Sequence, residues 1–260
     1  MRIAVVSLSR EGAKVAEALR RALPGAGLYL HRDVAGHSRA TRFASLLAVT
    51  AELFRRCRGM VFVAPCGAVV RALAPNLEHK ATDPGVVVVD VRARYAVSLL
   101  GGHEGGANAL AIEVANILGA EPVITTTTDA LKTVIVGVGC RKGTPAARIE
   151  AAVRRALGRA GVALDHVACL ASADLKRNEA GLIEAARALG VPFRVIPSDD
   201  LRRCRREFTQ SKFVQNKVNL PAVAEPAALL AGRRTEFLLR RQIIDGITVA
   251  VARENSMRSA

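Results

Sequence analysis

SLLGGHEGGAN, residues 98–108, is the stretch on which the reading of this chain turns. Four glycines, a histidine, a glutamate and an asparagine stand between YAVSLL (residues 95–100), which has strand character, and ANALAIEVANIL (residues 107–118), which is apolar at helical spacing. Gly101, Gly102, Gly105 and Gly106 let a ligand come close to the main chain, because no Cβ intervenes. A helix opening at the end of such a loop directs free N–H groups at whatever sits there, and anions suit that position. His103 is the one residue of the loop that titrates near neutral pH. Together these features predict a place for chemistry on an anionic ligand. The plain alternative is a tight strand-to-helix turn whose histidine is incidental.

Outward from this loop, apolar runs alternate with helical patterns. RIAVVS (residues 2–7) reads as a buried strand, and Ser9 caps a helix over residues 11–23. A short strand at 27–30 precedes a polar loop over 31–41, and then a helix with Phe43, Leu46, Leu47, Thr50, Leu53 and Phe54 inward. GMVFVA (residues 59–64) is a third strand, turning through residues 65–67 into a helix at 68–73. Strands at 86–90 and 95–99, joined by a short link, suggest a hairpin, and a last strand falls at 122–125.

The pattern then begins again with TVIVGV (residues 133–138) and the glycine turn GCRKGT (residues 139–144). Thr144 is expected to cap a helix with Pro145 at its first position. Strands at 167–172 and 193–196 enclose a helix at 179–189, and Ser198 is expected to cap a helix at 199–206. Residues 210–217 are polar and basic, residues 225–230 helical, and residues 256–260 look frayed. Asp245 and Gly246 mark a hairpin between strands at 237–243 and 247–252.

The class is therefore α/β: two three-layer α/β/α domains, residues 1–131 with a mostly parallel sheet and residues 132–260 with a mixed one. Ligands in such sheets sit at the carboxyl ends of strands. The glycine turns at Gly67, 101–106 and 139–143 all follow expected strand ends. A cleft between the halves would be lined by Arg71, Lys80, Arg141 and Lys142.

Composition narrows the function. A net charge of +15 over 260 residues favours an anionic partner, although arginine-rich solvated helix faces account for part of it. Aromatics at 3% and the absence of tryptophan argue against a nucleic-acid surface built on stacking. Five scattered cysteines with no CxxC spacing fit a reducing cytosol better than a disulfide framework or zinc site. The N-terminal apolar run is short for a signal peptide, and no stretch has the roughly 18 apolar residues of a membrane span. The expectation is a cytoplasmic protein with no membrane and no nucleic-acid partner. The glycines at 137, 139 and 143 miss the dinucleotide spacing, and no phosphate-loop motif occurs. Oligomeric state is open, a homodimer being the simplest assembly.

Several runs carry a family resemblance. FVAPCGAVVRALAPNLEHKATDPGVVVVD (residues 62–90), VSLLGGHEGGANALA (97–111) and PVITTTTD (122–129) resemble the N-terminal region of the cobalt-precorrin-5A hydrolases of anaerobic cobalamin biosynthesis. VGVGCRKGT (136–144), LASADLKRNEAGLIEAARALGVPF (170–193), SKFVQNKV (211–218) and VAEPAALLAG (223–232) resemble that family's C-terminal domain. The resemblance implies opening of a δ-lactone on a cobalt-bound, ring-contracted corrinoid and release of the extruded carbon, with its methyl group, as acetaldehyde. The substrate carries many carboxylates and brings the cobalt with it, so neither a cofactor nor a protein-bound metal is implied. Three departures stand out. The family's middle segment is missing between Asp129 and Thr133, Glu104 and Gly101 replace an apolar residue and a serine, and Cys66 is atypical.

Lactone hydrolysis needs a water, a base and donors for the oxyanion. His103 is the candidate base and the loop N–H groups the donors. Candidate substrate-binding residues are Arg71, Lys80, Gly101, Gly102, Gly105, Gly106, Asn108, Arg141, Lys142 and Lys176. Cys140, beside Arg141 and Lys142 at a helix start, is placed to favour thiolate, and Ser172, Asp174 and Lys176 end a strand and are expected to line the same cleft. Asn108 and Asp129 serve equally well as caps, and Lys80 and Arg71 as surface residues. The rival class is a corrinoid-binding or carrier protein without catalysis.

Overall fold

The computed structural model describes residues 3–36, 39–210, 215 and 218–255. Contacts divide the chain into two units, Met1–Thr126 and Thr127–Ala260.

The first unit runs β1 (Ile3–Ser7), α1 (Arg10–Ala22), β2 (Gly27–His31), β3 (Thr41–Phe43), α2 (Leu46–Arg56), β4 (Gly59–Val63), α3 (Cys66–Leu73), β5 (Gly85–Val89), β6 (Tyr95–Leu100), α4 (Ala107–Leu118) and β7 (Glu121–Val123). The sheet order is β3-β2-β1-β4-β5-β6-β7. Strands β1, β4 and β5 are buried along their whole length, which is why they read as unbroken apolar runs. Val5, Val61 and Val87 pack under α1 and α4 with Leu19, Leu110 and Val114. Their neighbours Val6, Phe62 and Val88 point the other way, under α2 and α3 with Leu53 and Val69. Ser9 caps α1 by accepting from Gly12 N–H at 3.1 Å. Phe43, expected on a helix, stands instead in the three-residue strand β3, and α2 begins after Ser45, which accepts from Ala48 N–H.

β1 to β5 are mutually parallel, but β6 pairs with β5 antiparallel and β7 follows β6. The reversal is made by Asp90, whose carboxylate accepts the N–H groups of Arg92, Arg94 and Tyr95. Burial alone pushes its carboxyl up, but these bonds outweigh it and hold the pKa below the ordinary range.

The second unit runs α5 (Thr127–Ala130), β8 (Val134–Gly139), α6 (Ala146–Ala160), β9 (Val167–Ala173), α7 (Ala180–Leu189), β10 (Phe193–Ile196), α8 (Ser198–Arg203), α9 (Ala224–Leu230), β11 (Thr235–Ile244) and β12 (Ile247–Glu254). Its sheet, in order β10-β9-β8-β12-β11, is mixed: β8, β9 and β10 are parallel, and β12 runs against both β8 and β11. Asp245 and Gly246 both have positive φ, 51° and 78°, the conformation the β11–β12 hairpin requires. α6 and α7 cover one face and α9 the other, so close to β8 that a Cβ on Gly137 would stand 1.8 Å from the Ala224 carbonyl oxygen.

Two expected caps are replaced. Pro145 is the N-cap of α6, and the Thr144 hydroxyl donates to the Arg141 carbonyl instead. Ser198 is the first residue of α8, behind Pro197, and both its hydroxyl and its N–H donate to Asp174. Most of the basic run at 210–217 and the frayed end at 256–260 lie outside the described residues. Among the described residues, no helix is long and apolar enough to cross a membrane.

Candidate functional site

The glycine loop packs main chain against main chain. A Cβ on Gly85 would stand 2.5 Å from the Gly105 carbonyl oxygen, and one on Gly101 2.9 Å from that of Pro84. A Cβ on Gly105 would stand 2.8 Å from the Gly101 carbonyl oxygen and 3.0 Å from that of Asp83. Only glycine permits this approach, so three of the glycines are set by packing before any ligand is considered.

The start of α4 is not open, contrary to expectation. Ala107 N–H donates to the Gly101 carbonyl at 3.0 Å, and Asn108 N–H to that of Gly102 at 2.9 Å. The loop thus satisfies the first donors of its own helix. Within the loop itself, the N–H groups of Gly102, His103, Glu104 and Gly105 have no acceptor among the described residues. His103 and Glu104 are exposed, and the His103 ring has no hydrogen-bond partner among the described residues. Gly106 supplies the left-handed N-cap, at φ 78°. Asn108 is buried. Its Oδ1 accepts from Ser98 Oγ at 2.7 Å and its Nδ2 donates to Thr126 Oγ1 at 2.9 Å. Expected to contact the ligand, it instead holds the loop shut at its base.

Lys80 belongs with this loop. It lies on a turn organised by buried Asp83, whose carboxylate accepts the N–H groups of Glu78 and His79 at 3.2 Å. The Asp83 main chain backs onto Gly105, and Lys80 is exposed. Arg71 does not belong with it. Its guanidinium donates to the Gly67 carbonyl at 3.0 Å, beside the end of β4. Because β6 runs antiparallel to β5, the carboxyl end of β6 lies at the amino edge of β1, β2, β4 and β5. The Arg71 guanidinium and His103 therefore stand at opposite edges of the first sheet. The edge holding Gly67 also carries the point where strand order reverses, between β1 and β4, lined by Ser9 and exposed Cys66. The motif reading missed that location, which emerges only from strand order.

In the second unit, the turn at 139–143, Ser172, Asp174 and Lys176 do share one edge, because β8, β9 and β10 are parallel. Arg141 and Lys142 are exposed on the turn. Beneath it lies Glu179, which motif reading also missed. Its Oε1 accepts the Gly143 N–H at 2.7 Å and its Oε2 accepts from Lys176 Nζ at 2.9 Å. Burial pushes the Glu179 carboxyl up, but Lys176, the Gly143 N–H and Lys142 together hold its pKa below the ordinary value. Its sequence signal was the three-residue spacing from Lys176.

Cys140 corrects an expectation. Burial raises its thiol pKa, and the opposing charge of Lys176 does not reverse this, so the group is held as a thiol. Buried Ser172 donates to the Val138 carbonyl at 2.8 Å and ties β9 to β8. Asp174 is taken up by Ser198, whose bonds outweigh burial and lower the Asp174 pKa.

A family model for the N-terminal region of cobalamin synthesis G proteins matches residues 48–129, and one for their C-terminal region matches residues 134–252. The chain belongs to the cobalamin synthesis G family. That membership places it in cobalamin biosynthesis. The cobalt-precorrin-5A hydrolase of Salmonella typhimurium is 27% identical over 294 residues, spanning 77% of this chain and 83% of its own. That of Priestia megaterium is 24% identical over 352 residues, spanning 96% and 94%. Protein CobE of Sinorhizobium sp is 31% identical over 135 residues, 51% of this chain and 88% of its own. The Priestia alignment is longer than the 260 residues here, so that relative holds residues without a counterpart in this chain. The two family models leave only residues 130–133 between them.

Proposed function

We propose that this protein is a cobalt-precorrin-5A hydrolase, opening the δ-lactone of its cobalt-corrinoid substrate and releasing acetaldehyde to leave cobalt-precorrin-5B. The observation that carries this reading is His103: an exposed ring with no hydrogen-bond partner among the described residues, on a loop whose neighbouring N–H groups have no acceptor among them. His103 accepts a proton from water as the water attacks the lactone carbonyl. The loop N–H groups donate to the oxyanion that forms. Collapse of the tetrahedral intermediate breaks the ring C–O bond, and the departing alkoxide is protonated to a hydroxyl. Removal of that hydroxyl proton lets the carbon–carbon bond to the macrocycle break. Acetaldehyde leaves, and the electron pair passes to the electron-poor ring, which is then protonated.

Lys80 stands where it can pair with a substrate carboxylate beside the glycine loop. In the second unit, Arg141, Lys142 and Lys176 are the anion-binding groups of the 139–143 turn. Arg71, at the other edge of the first sheet, is left out of the set that works with His103. No cofactor is invoked, since the cobalt arrives in the substrate.

The longer alignment with the Priestia relative favours one second reading, a corrinoid-binding protein without turnover. His103→Ala separates the two. On the hydrolase reading it lowers acetaldehyde release by about 10²–10⁴-fold while leaving corrinoid binding in place. Near-normal release by that variant removes His103 as the base.

A further inference from the structure

A buried carboxylate is tolerated only when its lone pairs are satisfied. Glu179 is 9% exposed and stands at the N-cap of α7, where its side chain makes no capping bond to its own helix. It reaches across instead to Gly143, 36 residues earlier in the chain, and to Lys176. It is held there firmly. A Cβ on Gly181, two residues on, would stand 2.0 Å from the Thr144 carbonyl oxygen, so the start of α7 is pressed against the turn. Its negative charge runs against the work of an anion-binding turn. If attraction were all that mattered, a neutral residue would serve better beneath Arg141, Lys142 and Lys176. The gain must therefore be geometric: one carboxylate fixes the last residue of the turn and the ammonium of Lys176 together.

We propose that Glu179 is the positioning residue of a carboxylate-binding turn, holding Lys176 Nζ and the main chain at 139–143 in place for a carboxylate side chain of the ligand. The inference rests on the reading above that the ligand is an anionic corrinoid.

The test is equilibrium binding of cobyrinic acid, a stable cobalt corrin with free carboxylate side chains, to the full chain, followed by calorimetry. Glu179→Gln keeps the shape and an oxygen for the Gly143 N–H but releases Lys176. Its affinity should fall about tenfold although a negative charge has been removed. Lys176→Met should fall by a similar factor, and the double variant should lie within about twofold of Lys176→Met, the mark of two residues acting as a unit. Glu179→Gln binding as tightly as wild type, or more tightly, overturns the proposal and leaves Glu179 a structural group. A lowered melting temperature with unchanged affinity has the same meaning. Wild-type protein that does not bind cobyrinic acid at all overturns the corrinoid reading, and the inference falls with it.

Discussion

The Oδ1 of Asn108 accepts a hydrogen bond from the hydroxyl of Ser98 at 2.7 Å. This bond joins β6 to the first turn of α4 and closes the base of the loop that carries His103. The same side chain donates to Thr126, so one buried amide ties three segments. Asn108→Ala should lower unfolding stability by about 1–2 kcal/mol, because two hydrogen bonds from this buried amide to half-buried hydroxyls are lost. Asn108→Asp keeps an acceptor for both hydroxyls and should lose less. Urea denaturation checks both; an alanine variant as stable as wild type would contradict the role.

The glycines in and against the loop divide into two kinds, which substitution separates. Gly85→Ala places a Cβ 2.5 Å from the Gly105 oxygen and 2.9 Å from Ala107 N, with main chain on every side. The loop has to move, and the loss should reach about 3 kcal/mol or more. Gly106→Ala meets nothing within 4 Å and is opposed only by its positive φ, which costs about 1–2 kcal/mol. Equal losses at the two positions would contradict this division.

Cysteine reactivity should follow burial. Cys169 is buried and its thiol is pushed up to about 12, chiefly by desolvation. At pH 8 in the folded protein, iodoacetamide should modify exposed Cys66 first and Cys140 more slowly. Cys169 should react only after unfolding. Cys140→Ser should retain activity, as a protonated thiol with no nucleophilic role implies. Site-resolved mass spectrometry reads the order, and early labelling of Cys169 would contradict it.

Asp174 and Glu179 predict an acid-sensitive second unit. Both carboxyl pKa values are lowered in the folded chain by hydrogen bonds and neighbouring charge. Their contribution is present in full above the ordinary carboxylate range. It is lost as the pH falls below about 4 and the folded-state groups take up protons. Glu179→Gln and Asp174→Asn should each flatten the fall in stability between neutral and acid pH. A slope unchanged in both variants would contradict the bonds described.

Local sequence carried the strands and helices because their apolar runs and spacings are local. The β5–β6 hairpin was legible in the short link around Asp90. Its consequence was not, since a run of valines does not say which edge of the sheet its end will reach. That direction separates Arg71 from His103. The plugging of α4 was hidden for a similar reason: the Gly101 and Gly102 carbonyls turn back on the helix only once the loop is packed against Asp83 and Gly85. Glu179 showed its spacing from Lys176, but its bond to Gly143 comes from a distant turn. Phe43 was misplaced because a three-residue strand is too short to show alternation.

The most direct test is the yield of acetaldehyde from anaerobically prepared cobalt-precorrin-5A, with a control lacking the protein. One acetaldehyde released per corrinoid, accompanied by a change in the visible spectrum, is the predicted result. A spectral shift on binding with no acetaldehyde would contradict the account and leave the protein a binder of the corrinoid.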